Sequence, residues 1–115
     1  QAMLYFSDHG GDPYRKRHPD ASGFKFLQVP MFVYVSQEYQ KLYVDNLKIY
    51  RDNRNKYFTN DMIYEVVCDL LRVKSNFFVE ENSILNSKYK FTPETLTTNL
   101  GKTKISEDKE PRDDN

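Results

Sequence analysis

Met3-Leu4-Tyr5-Phe6 is an unbroken apolar run that stops at Ser7-Asp8-His9-Gly10-Gly11. A short run of this kind predicts a strand over residues 3–7, near-continuously apolar in the way of a buried parallel strand. Residues 10–23 collect Gly, Pro, Asp and charge and predict a loop, long enough to be either functional or disordered. Phe24-Lys25-Phe26 alternates once, and residues 29–35 predict a second strand, with Pro30 tolerable only near its start or at an edge. The period then changes. Tyr39, Leu42, Tyr43, Leu47 and Tyr50 recur at helical spacing and predict a helix over 37–52, with Ser36 as N-cap and Glu38 favourable in the first turn. After the polar run 52–56, Met62, Ile63, Val66, Val67, Leu70 and Leu71 mark a second helix over 61–73, capped by Thr59 or Asn60. Strand, loop, strand, helix, helix is an α/β pattern.

Beyond Lys74 the periodicity lapses. Phe77, Phe78, Ile84, Leu85, Tyr89 and Phe91 are irregularly spaced and predict an extended segment packing back over the domain. Pro93-Glu94-Thr95-Leu96 suits a short helical turn with Thr92 as cap. Residues 102–115 alternate charge with almost no apolar side chains, so residues 1–101 are expected to form the domain and 102–115 a disordered tail.

Composition narrows the function. A 115-residue chain suits one small domain. Its 17 basic and 17 acidic residues cancel, which removes the usual argument for nucleic-acid binding, a strongly basic surface. The single cysteine, Cys68, falls in an apolar helical pattern and reads as a buried small hydrophobe rather than a nucleophile. The chain shows no window long and apolar enough for a membrane span, no signal peptide, no internal repeat and no glycine-rich phosphate loop.

The candidate chemistry sits where the first strand stops. Asp8 and His9 are a natural pair of zinc ligands, one oxygen and one nitrogen, and Gly10-Gly11 supplies the turn needed to bring neighbouring side chains to one side. Read locally, the same residues are more often a polar turn after a strand. His18 lies in the following loop, either as a further ligand or as an exposed loop histidine. Arg15-Lys16-Arg17 would attract phosphate or simply face solvent, and Asp12 and Asp20 are candidates to hydrogen-bond a ligand histidine.

Taken together, Tyr5-Phe6-Ser7-Asp8-His9-Gly10, the loop with His18, and Val29-Pro30-Met31-Phe32-Val33-Tyr34-Val35-Ser36 resemble the sulfatase-like branch of the alkaline phosphatase superfamily, and most of all the bacterial phosphoethanolamine transferases. The likeness continues through residues 53–61 and the helix after them, covering roughly residues 2–75. It departs at Gly11, where the family often has glutamate, and at Pro19, where His-Gly is common.

This resemblance implies a fold, a cofactor and a setting. The fold would be the C-terminal part of an alkaline-phosphatase/sulfatase-like α/β/α sandwich, represented by two strands, two helices and an irregular C-terminal segment. Asp8 and His9 would be zinc ligands, and His18 would contact the phosphate or a second metal. The threonine nucleophile and further acidic ligands would lie upstream in the remainder of the parent catalytic domain, so the 115-residue piece alone is expected to be inactive. The parent would move phosphoethanolamine from a phosphatidylethanolamine-type donor to lipopolysaccharide or lipid A. Its soluble domain would face the periplasm, anchored in the bacterial inner membrane through the N-terminal part. Alternatives are a sulfatase, phosphodiesterase or phosphoglycerol transferase of the same fold, or a non-catalytic metal-binding module.

Overall fold

The computed structural model describes residues 1–10, 28–98 and 102–107. Helices and two small antiparallel sheets make a mixed α and β domain. The first sheet pairs β1 (Ala2–Tyr5) with β2 (Phe32–Val35) in the register Ala2↔Val35, Met3↔Tyr34, Leu4↔Val33 and Tyr5↔Phe32. This corrects the parallel reading of the first strand. An apolar run of four or five residues does not encode strand direction, and here the run is continuous because both faces of the pair are apolar. Leu4, Val33 and Val35 turn toward the core, whereas Met3, Tyr5, Phe32 and Tyr34 line the other face and stay exposed. Strand β2 begins only after Pro30, which has no N–H for the ladder.

Ser36 N–H donates to the Gln1 carbonyl at 2.8 Å, and Ser36 Oγ accepts the Tyr39 N–H at 3.3 Å, so the expected N-cap forms. The helix it opens is shorter than expected. α1 (Gln37–Leu42) ends at Tyr43, whose φ of −129° and ψ of 48° leave the helical region, and α2 (Val44–Asn53) restarts after it. Neither Pro nor Gly marks this break. Its visible anchors are side-chain contacts: the Tyr43 ring lies 4.7 Å from that of Tyr39, and the Arg72 guanidinium sits over it at 5.6 Å.

Asn60–Met62 forms a 3-10 turn leading into α3 (Ile63–Leu71), which carries the core. Val66 and Leu70 are buried and meet Tyr39, Ile84, Leu85 and Tyr89. Val67 and Leu71, expected in the same stripe, face outward. Tyr39 Oη donates to the Leu70 carbonyl at 2.7 Å and lies 3.1 Å from Tyr50 Oη. Burial pushes the Tyr50 and Tyr89 phenols well above their ordinary values, so both stay protonated.

α3 stops at Arg72, held left-handed at φ 57°. The Arg72 N–H reaches the Asp69 carbonyl at 3.1 Å and the Val73 N–H reaches that of Cys68 at 2.9 Å, the paired bonds of a Schellman ending. Glycine normally takes that position because a Cβ costs about 1–2 kcal/mol there. Arg72→Gly therefore relieves the left-handed conformation, offset in part by glycine's entropy and the lost Tyr43 stacking. We expect a net gain of about 0.5 kcal/mol in urea unfolding. A loss of stability would mean that the stacking outweighs the backbone term.

The irregular segment after α3 does pack back, through Ile84, Leu85 and Tyr89. The Thr92 carbonyl accepts from the Thr95 and Leu96 N–H groups at 3.0 and 2.8 Å, the single turn expected there. The tail boundary at residue 102 also moves. β3 (Thr97–Thr98) pairs antiparallel with β4 (Thr103–Lys104), a 3-10 turn Ile105–Glu107 follows, and Ile105 is buried against Leu96. One isoleucine among charges is enough to fasten the segment, and a compositional reading averages it away. Residues 108–115 lie outside the described residues.

Candidate functional site

The chain leaves the sheet at Phe6, one residue past the last rung of the β1–β2 ladder, and turns through Ser7, Asp8 and His9. Ser7 Oγ donates to the His9 carbonyl at 3.0 Å and also lies 3.4 Å from Asp8 Oδ1. The His9 N–H donates to Asp8 Oδ1 at 3.0 Å. These bonds turn the backbone, so two consecutive side chains that an extended strand would send to opposite faces converge. Asp8 Oδ2 and His9 Nε2 stand 3.5 Å apart.

The other end of each side chain is committed. Asp8 Oδ1 takes the backbone N–H, leaving Oδ2 to face the ring. His9 Nδ1 lies 2.8 Å from the Gly10 carbonyl, which can only accept, so Nδ1 carries the proton. Nε2 is the ring nitrogen on the carboxylate side, 3.5 Å from Asp8 Oδ2, so a metal ion held by both side chains would sit beside these two atoms. The His9 backbone N–H, and after it the His9 ring, hold the Asp8 carboxyl below its ordinary value, so it is ionised throughout the neutral range. The carboxylate side chain is 85% exposed and the imidazole 38%, so an ion pair here contributes little to stability.

Zinc fits this pair. Two ligand atoms, each about 2.0–2.1 Å from one tetrahedral ion, lie about 3.3 Å from each other. The Asp8 Oδ2 to His9 Nε2 separation of 3.5 Å matches that bite without rearrangement. A backbone carbonyl on the far nitrogen is also the usual device for orienting a ligand histidine. Among the described residues, no three His, Cys, Asp or Glu side chains gather into a metal group, so any zinc held by this pair would need further ligands. His18, Asp12, Asp20 and Arg15-Lys16-Arg17 lie outside the described residues. Cys68 is buried in α3, in keeping with its reading as a small hydrophobe.

One residue at the site was not legible as such. Asn60, at the start of the 3-10 turn before α3, donates through Nδ2 to the Ser7 carbonyl at 2.6 Å and lies 3.4 Å from the Asp8 carbonyl. Its position before an apolar helix announces a cap, and nothing local in the sequence announces a bond to a strand end 52 residues earlier. Thr59, the other expected cap, makes no capping bond, and its buried Oγ1 has no partner among the described residues.

No protein-family model matches the chain, and no curated protein or solved structure does. Among the described residues no helix is long and apolar enough to cross a membrane.

Proposed function

We propose that Asp8 and His9 are one half of a zinc site in a sulfatase-like phosphoethanolamine transferase of the bacterial inner membrane, this chain being the C-terminal part of its periplasm-facing catalytic domain. The observation that carries the reading is the convergence of Asp8 Oδ2 and His9 Nε2, with Nδ1 tied to the Gly10 carbonyl. The sheet adds support. With Leu4 and Val33 turned to one side and Met3, Tyr5, Phe32 and Tyr34 exposed on the other, β1 and β2 suit a sheet covered on both faces, as in an α/β/α sandwich.

In this reading Asp8 and His9 would hold a zinc ion whose chemistry would lower the cost of deprotonating the threonine nucleophile and would stabilise charge on the transferring phosphoryl group. The chain's own residues prepare the place. Asp8 holds a permanent negative charge, the Gly10 carbonyl keeps the proton on His9 Nδ1, and the Ser7 hydroxyl fixes the turn that aims both groups. The nucleophile and remaining acidic ligands come from the rest of the catalytic domain, His18 contributes from the loop to phosphate or a second metal, and the acceptor is lipopolysaccharide or lipid A.

Metal removal tests this. The full-length protein is expected to carry zinc and to move phosphoethanolamine from phosphatidylethanolamine to lipid A, to lose that activity on dialysis against a chelator, and to regain it with zinc. Sulfate-ester hydrolysis in place of transfer would reassign the chemistry within the fold, and wild-type activity in the chelated protein would remove zinc from it.

A further inference from the structure

The turn that carries Asp8 and His9 lies past the sheet. Pairing with β2 ends at Tyr5 opposite Phe32, so this ladder does not hold the Ser7 and Asp8 carbonyls. Asn60 meets both, at 2.6 and 3.4 Å. Because both neighbours are carbonyl oxygens, which only accept, the amide nitrogen must be the atom that faces them.

The two carbonyls belong to the peptide planes on either side of the Asp8 Cα. Fixing both planes fixes the direction in which the Asp8 side chain leaves the backbone, and the second plane also sets where the His9 residue begins. Asn60 is itself well anchored, since the 3-10 turn runs directly into α3, where Val66 and Leu70 sit in the core and Met62 packs against it. A clamp thus links the start of a helix seated in the core to the turn whose shape brings a carboxylate and an imidazole within 3.5 Å.

We infer that Asn60 is a positioning residue for the metal site: it acts through the Ser7 and Asp8 backbone to preset the bite between Asp8 Oδ2 and His9 Nε2, and so sets zinc affinity. This rests on the zinc reading above. Groups that orient metal ligands without touching the metal typically change affinity about 10–100-fold when removed. Asn60→Ala deletes the donor. Asn60→Asp keeps the shape but turns a carboxylate toward two carbonyl oxygens.

The experiment measures zinc affinity of the full-length protein by competition with a chromophoric chelator, together with thermal melting, for Asn60→Ala, Asn60→Asp, Asp8→Ala, His9→Ala and Leu96→Ala. Leu96 is buried in the small cluster with Ile105, which packs on Met62 of the 3-10 turn but holds neither Asn60 nor the Ser7-to-His9 turn, so its truncation reports what lost stability, including a looser 3-10 turn, does to metal binding with the Asn60 amide in place. Both Asn60 variants are expected to bind zinc at least about 10-fold more weakly, while Leu96→Ala melts earlier and binds as the wild type does. Wild-type affinity in Asn60→Ala, alongside lost affinity in Asp8→Ala and His9→Ala, would overturn the inference and leave the site standing. Equal weakening in Leu96→Ala would reduce Asn60 to a structural tie and overturn it too. Wild-type affinity in Asp8→Ala and His9→Ala would sink the zinc reading itself, and the role of Asn60 with it. Should Asn60→Asp not fold, Asn60→Ala, which only removes an amide from a half-buried position, decides the matter alone.

Discussion

Asp8→Ala and His9→Ala, each made in the full-length protein, are expected, on the function proposed above, to lower phosphoethanolamine transfer by on the order of 10³-fold while leaving the melting temperature of the metal-free protein unchanged. A Lewis acid contributes several kcal/mol of charge stabilisation in a transferring phosphoryl group, and each 1.4 kcal/mol or so is tenfold in rate. Loss of either ligand removes part of what keeps that ion in place. The core does not depend on either side chain, because Asp8 is 85% exposed, His9 is only partly buried, and neither belongs to the two apolar clusters. Asp8→Asn sharpens the test. It keeps the size of the side chain and its capacity to accept the His9 N–H, but it gives up the charge, so transfer and zinc content should fall together while the turn persists. Full activity in Asp8→Ala or His9→Ala, measured with zinc present, would take these residues out of the mechanism.

The elements that sequence reading located well are those whose signal is local. Ser36 caps a helix because its hydroxyl needs only the N–H three residues on, and Val66 and Leu70 are buried because a helical stripe has to face something. What escaped depends on partners distant in the chain. The direction of β1 is set by which strand lies beside it, and four apolar side chains read the same either way. The break at Tyr43 is accompanied by contacts with Tyr39 and Arg72 rather than by a helix-breaking residue. Ile105 reaches the Leu96 cluster across a small sheet that no charge pattern suggests. At the candidate site, Asp8 and His9 stood out because their chemistry is written in adjacent letters. Asn60 did not, because its bond to the Ser7 carbonyl exists only after the fold has brought α3 to the end of β1.

Asn53 offers the largest effect on stability, and again for a reason that only the fold displays. It reads in the sequence as one polar residue in the run that ends a helix, yet it is 5% exposed and its Nδ2 donates to the Ile84 carbonyl at 2.8 Å and the Asn86 carbonyl at 3.0 Å. Two backbone acceptors of the irregular segment therefore depend on one amide. Close by, the buried Asp69 carboxylate takes the Asn86 amide at 3.3 and 3.4 Å. Asn53→Asp would turn an anion toward two carbonyl oxygens in this setting. We expect it to cost at least about 3 kcal/mol at neutral pH in urea unfolding, where Asn53→Leu, which leaves the same carbonyls unpaired but adds no charge, costs about 2. The two variants separate on acidification. In Asn53→Asp the native state binds the carboxyl proton more tightly than the unfolded chain does, since burial and the facing oxygens raise its pKa above the ordinary value near 3.9. The protonated carboxyl also regains one donor for one carbonyl. Its stability relative to wild type should thus be highest below about pH 4 and decline as the pH rises through the raised native pKa, whereas the difference between Asn53→Leu and wild type should stay flat over the same range. A pH-independent deficit in Asn53→Asp would mean that the new carboxylate has swung out to water, and that this segment of the domain gives way more readily than its hydrogen bonds indicate.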